Sequence, residues 1–426
     1  MVTLQIIISK RINSIKVSIQ VMATEQLFVN VVIILVAARL LGEIFQRVGL
    51  PSLVGELLAG IIIGPSILSL VRPDESLTVL SDLAVFFLMF LAGLEMDPRE
   101  IRKAGLPACI LSVIAFSIPL VSGYGVSLIL GLSTIQSLFM GLLLSITAVP
   151  VSAIVLMEFG ILKTKLGTTV ITAAVINDIL SLIVLSVIFQ LNQPGAMGVI
   201  DINKIFDSLI KIGAFIGGIF VVDLVFRKSS HWLPTRVAPF FQKLQTKEAA
   251  FGILLISTIV VSLIAQSVIG LHFIIGTFFS GLIVYKEIIR KQNFERVYGI
   301  ISAITFGFFA PIFFAIIGIN IQIELISTSL PLFVLLVGVA VFSKVSAGYV
   351  GSRILRFSKD ESITIGYLMN GRGMVELVIA SIGFSSGIID LKLFSIAVVI
   401  GFITTIMAPL LSRPYVIKIK SKLLLK

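Results

Sequence analysis

The stretch AAVINDILSLIVLS, residues 173–186, sets an amide and a carboxylate side by side, Asn177 and Asp178, in the middle of an apolar run. A charged residue at the centre of a membrane helix costs about 2.5–3.5 kcal/mol on insertion scales. Such a residue stays only where it works or is tied up in a helix–helix hydrogen bond. Around the pair, Ala173 and Ala174 lie one turn before and Ser181 one turn after, and small residues let a second backbone approach closely. An intramembrane acid of this kind marks an ion or proton path.

The rest of the chain fits a membrane setting. Of its 426 residues 57% are hydrophobic and 13% charged, with a mean hydropathy of +1.13, against about a quarter charged in soluble domains. Composition therefore overrides the two or three soluble domains that length alone suggests. The formal charge of +11 is explained by basic residues kept on cytoplasmic loops, not by nucleic acid. The single cysteine, Cys109, excludes an intrachain disulfide, and with only His231 and His272 there is no zinc-ligand spacing. No cofactor is expected.

A bilayer-spanning helix needs about 20 mostly apolar residues. About thirteen such windows follow one another, near 26–44, 50–70, 77–95, 106–130, 135–157, 165–190, 204–226, 248–268, 270–286, 297–319, 329–353, 362–384 and 392–412. With the first window running inward, the inner loops hold Arg102, Lys103, Lys163, Arg227, Lys228, Arg236, Lys243, Arg290, Lys291, Arg296 and Arg356, whereas the outer loops hold only Arg72. This asymmetry places the carboxyl terminus in the cytoplasm. Residues 1–25 form an amino-terminal extension whose Lys10, Arg11 and Lys16 fall on the wrong side; a start at Met22 and a helix lying in the interface both account for it. The organisation expected is a first six-helix repeat over 26–190, a linker helix and cytoplasmic loop over 191–247, a second repeat over 248–412 and a basic cytoplasmic tail over 413–426, with no regulatory domain after residue 412.

Each half contains an interrupted span, which points to inverted repeats with a site at the midplane. In SITAVPVSAIV, residues 145–155, Pro150 removes a helical hydrogen bond and frees the carbonyl of residue 146. Freed carbonyls at membrane depth face protein or a wet cavity and suit an alkali cation, with Thr147 and Ser152 adding hydroxyls; a simple proline kink fits equally well. In GYLMNGRGMVELVIASIG, residues 366–383, Asn370, Gly371, Arg372 and Gly373 break an apolar segment, and Glu376 pairs with Arg372 at i, i+4. Lys344, in FSKVSAGYVGSR, residues 342–353, needs a carboxylate partner within the bilayer or must lose its charge. Asp178 is the natural candidate, and snorkelling to the interface is the alternative. Of the other acids, Glu56 and Asp82 suit an entry path, Glu43 suits a pair with Arg39, Asp223 a pair with Arg227, and Glu95 the interface.

Four of these stretches together resemble the monovalent cation:proton antiporter superfamily: PSLVGELLAGIIIGPS at 51–66, FLMFLAGLEMD at 87–97, the Asn177–Asp178 pair, and NGRGMVELV at 370–378. Over roughly 26–412 the chain is similar to the sodium/proton exchangers with thirteen transmembrane helices, in the branch that includes Kef-type potassium transporters. The resemblance implies two broken helices crossing near the bilayer centre and a homodimer in which a core domain moves against a dimer domain. It implies that Asp178 carries the ion and the proton. Asn177 matches a position that is Asp in electrogenic members and Asn in many electroneutral ones, and Lys344 a basic residue paired with the acids. One departure leaves the coupling ratio open: the electroneutral branch usually has Thr-Asp-Pro where this chain has Thr147-Ala148-Val149-Pro150.

The function expected is secondary active sodium/proton antiport at the cell membrane. Na+ and H+ compete for Asp178, assisted by Thr147, Ser152 and Asn177, and the site faces each side in turn. Carbonyls and one carboxylate do not by themselves choose sodium over potassium, so a potassium/proton antiporter or Kef-like efflux transporter is the alternative. A membrane protease would need a motif such as His-Glu-x-x-His or Gly-x-Gly-Asp, and the sequence has neither.

Overall fold

A computed structural model of the chain describes the backbone of residues 2–96, 98–192, 247–283 and 291–424, with residues 210–211, 213–214 and 217–218 between them. Every regular element among these residues is helical. In the first half α1 is Val2–Arg47, α2 Ser52–Ile63, α3 Glu75–Glu95, α4 Pro98–Ile129, α5 Thr134–Ser145, α6 Val149–Glu158 and α7 Lys165–Leu191. In the second, α8 is Lys247–Ile264, α9 Phe273–Ile283, α10 Lys291–Ile304, α11 Ala310–Asn320, α12 Ile323–Ser327, α13 Leu330–Ile354, α14 Lys359–Met369, α15 Met374–Ser385 and α16 Leu391–Leu424. Eight stretches among the described residues are long and apolar enough to cross a bilayer. Twelve of the expected windows coincide with helices; the window at 204–226 and the linker over 191–247 lie for the most part outside the described residues, and the Asp223–Arg227 pair lies wholly outside them.

Helix ends follow local chemistry. Asp74 caps α3 by accepting the Leu77 N–H at 2.7 Å. Ser133 and Ser358 form reciprocal capping boxes with Gln136 and Glu361 at the starts of α5 and α14. Two boundaries differ from expectation. The charged residues after 97 continue as helix from Pro98, because Arg, Glu, Lys and Ala are good helix formers, and Gly105 at φ +63° then turns the chain into the apolar part of α4. At the amino terminus, α1 runs unbroken from Val2 through the expected end of the extension.

Packing sorts the helices into two groups. In one, α1, α2 and α11 lie together, as do α3, α8 and α9. In the other, α4 packs on α5, α7 and α13, and α14 packs on α13 and α16. Each half of the chain thus gives its first three spans to one group and its last three to the other, with the fifth broken in each. Glycines set the closest approaches in the first group. A Cβ at Gly60 would stand 1.9 Å from the Ala315 carbonyl oxygen, and one at Gly318 2.2 Å from that of Leu57. The groups meet across α3 and α15, where Leu88, Met89, Val378 and Ile379 are fully buried in one cluster.

Candidate ion site

The first interruption is a true break. α5 ends at Ser145, Ile146 and Ala148 are extended, and α6 starts at Val149. Pro150 lies in the first turn of α6, where its missing N–H has no helical partner to lose. The second break runs over Asn370–Gly373, with Gly373 extended before Met374. The two cross: the Ala148 N–H donates to the Gly371 carbonyl at 2.8 Å. Across the crossing the Thr147 hydroxyl donates to the Met369 carbonyl at 3.2 Å and that of Ser152 to Leu368 at 2.9 Å. From α16, Thr405 donates to the Arg372 carbonyl at 2.7 Å.

A crossing of this kind creates four half-helix ends, each with backbone groups that lack helical partners. The carboxyl-terminal ends are capped by side-chain donors. Arg372, 1% exposed, donates to the carbonyls of Leu143 and, at 3.0 Å, Leu144 at the end of α5. Lys344 is fully buried and donates to the carbonyls of Ser145 and, at 2.9 Å, Ala115. Ser152 and Thr147 do the same for α14. Cations at a helix carboxyl terminus also meet the negative end of its dipole favourably.

The two amino-terminal ends are left facing a cavity. It measures about 70 Å³ and is lined by Ile146–Pro150, Gly373–Glu376, Ala92, Glu95, Met96, Val175 and Asp178. That is room for a few waters or one partly hydrated alkali cation. Asp178 is 5% exposed and its Oδ1 has no hydrogen-bond partner. Two helix amino termini carry together roughly one positive charge, which balances one carboxylate. Glu376 holds Arg372 at 2.8 Å through Oε1, as its spacing predicts, while its Oε2 is without a partner beside Gly401.

The sequence-derived residues divide by position. Asp178, Thr147, Pro150, Gly373 and Glu376 line the cavity. Asn177 stands behind it, fully buried, donating to the Thr147 hydroxyl at 3.1 Å and accepting from Ser112. Ser152, Gly371 and Arg372 belong to the crossing itself. Lys344 makes no ion pair with Asp178; its ammonium is taken up by carbonyls of α4 and α5. Arg39 donates to the carbonyls of Phe306 and, at 2.7 Å, Gly307, which a π-helical segment over Thr305–Phe309 leaves accessible, so Glu43 pairs with Arg47 at 3.1 Å instead. Glu95 lines the cavity mouth and accepts from the Tyr298 hydroxyl at 3.1 Å. Ser112, Tyr298 and Thr405 drew no attention in the sequence, since a hydroxyl in an apolar span carries no signal until its partner is known.

Comparison with known proteins gives a consistent result. The transmembrane sodium/hydrogen exchanger family matches residues 31–418. A Na(+)/H(+) antiporter of Enterococcus hirae is 28% identical over 91% of this chain and 97% of its own. The Na(+)/H(+)-K(+) antiporter GerN of Bacillus cereus is 31% identical over 90% and 95%. Among solved structures, the sodium proton antiporter MjNhaP1 of Methanocaldococcus jannaschii superposes with a TM-score of 0.70 at 17% identity, covering 95% of this chain and 99% of that one.

Proposed function

The chain belongs to the sodium/hydrogen exchanger family, as a cation/proton antiporter and not an enzyme, and from that premise we propose that Asp178 is the one carboxylate for which sodium and a proton compete. The observation that carries the reading is the buried, unpartnered Oδ1 of Asp178 on a small cavity between two half-helix amino termini. Deprotonated Asp178 binds the cation with carbonyl oxygens of residues 146–148 and the Thr147 hydroxyl. Ser152 and Asn177 hold that oxygen set in place from behind. Protonated Asp178 has no charge to offer and releases the ion.

The group containing α4–α7 and α13–α16 then moves against the other group and turns the site to the opposite face. The unpartnered carboxylate does not make this crossing empty and charged, because desolvating it without an ion or a proton costs too much. Coupling follows from that restriction alone. Lys344 is bonded to carbonyls, so cation binding breaks no lysine–aspartate pair whose rupture would release a second proton. One proton then exchanges for one sodium, and transport is electroneutral.

The basic loops face the cytoplasm, which puts the carboxyl terminus inside and opens the Asp178 cavity, with Glu95 and Pro150 at its mouth, to the cytoplasmic side of the cell membrane. The homodimer is carried by the family resemblance. Sodium is favoured by the names of the relatives; potassium is the second reading, because the Bacillus cereus relative is named for both ions.

The test uses proteoliposomes holding a pH gradient. Sodium added to the wild type collapses the gradient, and the Asp178→Asn variant leaves it intact. Potassium as sole active ion would replace sodium in the reading, and gradient collapse by the variant would remove Asp178 from its role.

A further inference from the structure

Hydroxyls buried inside helices commonly donate back to a carbonyl three or four residues earlier, as Ser181, Ser186 and Thr404 do here. Ser112 on α4 departs from this pattern. It is fully buried, and its hydroxyl donates across to Asn177 Oδ1 on α7. From Asn177 the bonds continue in one direction. Its Nδ2 donates to the Thr147 hydroxyl at 3.1 Å, and that hydroxyl donates to the Met369 carbonyl at 3.2 Å. All four residues are shut off from solvent.

The polarity of this chain is set at both ends. Met369 is the last residue of α14, so its carbonyl has no helical partner and takes the Thr147 proton. A hydroxyl has one proton and two lone pairs. Thr147 therefore accepts from Asn177 with one lone pair and keeps the other, in the wall of the Asp178 cavity. For Asn177 to donate there, its amide nitrogen has to face Thr147 and its oxygen has to face α4. Ser112 supplies the donor that holds the oxygen on that side. With an apolar residue at 112, neither end of the amide is preferred. Turned over, Asn177 would draw the Thr147 proton away from Met369, and the hydroxyl oxygen would lose its fixed aim.

Resting on the antiport reading at Asp178, we propose that Ser112 is a positioning residue for the cation: through Asn177 it orients the Thr147 hydroxyl so that one lone pair is presented to the ion. Ser112 does not line the cavity, so it acts only through this relay. A residue of this kind sets affinity and not turnover, because saturating sodium fills the oxygen set whichever way the amide turns. Helices α4 and α7 pack on each other within one group, so the bond travels with the site and its effect is the same from either face of the membrane.

The experiment measures exchange in membrane vesicles of both orientations. Ser112→Ala is expected to raise the apparent KM for sodium about fivefold, the size of one net hydrogen bond, equally from both faces and at unchanged maximum rate. Ser112→Thr, which keeps the hydroxyl, is expected to restore the wild-type KM. An unchanged KM, a change seen from one face only, or a falling maximum rate at steady KM overturns the assignment and leaves the antiport reading standing. Wild-type vesicles without exchange would defeat the antiport reading itself. Heat stability of the purified protein judges the relay independently of transport. In Ser112→Ala the sodium concentration that half-stabilises the protein is expected to rise about fivefold, with the sodium-free melting temperature unchanged. A variant that melts lower without sodium yet responds to sodium as the wild type does makes Ser112 a packing residue and overturns the proposal. Should Ser112→Ala not fold, Ser112→Cys, whose thiol donates only weakly, is held to the same expectations in both assays.

Discussion

Arg372 is the side chain on which the crossing most depends, and its removal has a calculable signature. It is buried and divides its donors among Glu376 Oε1 at 2.8 Å and the carbonyls of Leu143 and Leu144. Arg372→Met leaves a buried carboxylate unpaired, worth 3–5 kcal/mol, and strips the negative end of α5 of its cation, worth up to about 2 kcal/mol. A total of about 5 kcal/mol is a large share of the 5–15 kcal/mol typical of a folded domain. Glu376→Gln alone is milder, about 2 kcal/mol, because the guanidinium keeps both carbonyls. Combining the two removes the unpaired charge, so the double variant loses only about 4 kcal/mol, a coupling of about 3 kcal/mol. Unfolding in mixed micelles of increasing dodecyl sulfate content, followed by circular dichroism, gives all three values. Costs that add within about 0.5 kcal/mol would refute the idea that the guanidinium is there to neutralise Glu376.

Three further predictions rest on single contacts. Asn177→Asp places a second titrating charge beside Asp178, so exchange becomes sensitive to membrane potential, read by imposing a potassium diffusion potential on proteoliposomes; indifference to potential counts against the one-carboxylate scheme. Competition at Asp178 makes the apparent KM for sodium climb toward tenfold per unit fall in pH on the acid side, at constant maximum rate; a falling maximum rate with steady KM points to a separate pH control. Gly318→Ala drives a Cβ to 2.2 Å from the Leu57 carbonyl oxygen and is expected to cost about 2–3 kcal/mol, while Gly338→Ala, with nothing within 4 Å, leaves stability unchanged or slightly improved.

The sequence carried the span pattern because apolar length is a property of consecutive residues. It also revealed the second break, since Gly371 and Gly373 flanking a charged Arg372 have no place inside a continuous helix. Pro150 was harder to read. A proline within an apolar run fits a kink as well as a break, and only the arrival of Gly371 from more than two hundred residues away gives the Ala148 N–H its partner. The partner of Lys344 was invisible for a different reason. Sequence shows which charges exist, but the carbonyls that accept its protons belong to every residue, and the end of a half-helix supplies one as readily as a carboxylate. Glu43 had two arginines at equal spacing, Arg39 and Arg47, and the choice fell to a π-helical segment of α10–α11 that draws Arg39 away. Glu95 sits at the end of its span as expected, yet that end is also the mouth of the cavity.

The link between Ala148 and Gly371 is a bond between main chains. It is indifferent to which side chains the two residues carry, provided they stay small: a Cβ at Gly373 would come within 2.7 Å of the Ala148 methyl, and one at Gly371 within 2.8 Å of Val151. Mutational tolerance here is therefore a matter of volume and not of chemistry. The crossing also joins segments from the two halves of the chain, so neither half expressed alone has anything against which to close its break. Co-expressed as separate polypeptides, the halves would be obligate partners, and the ion site would be their joint product.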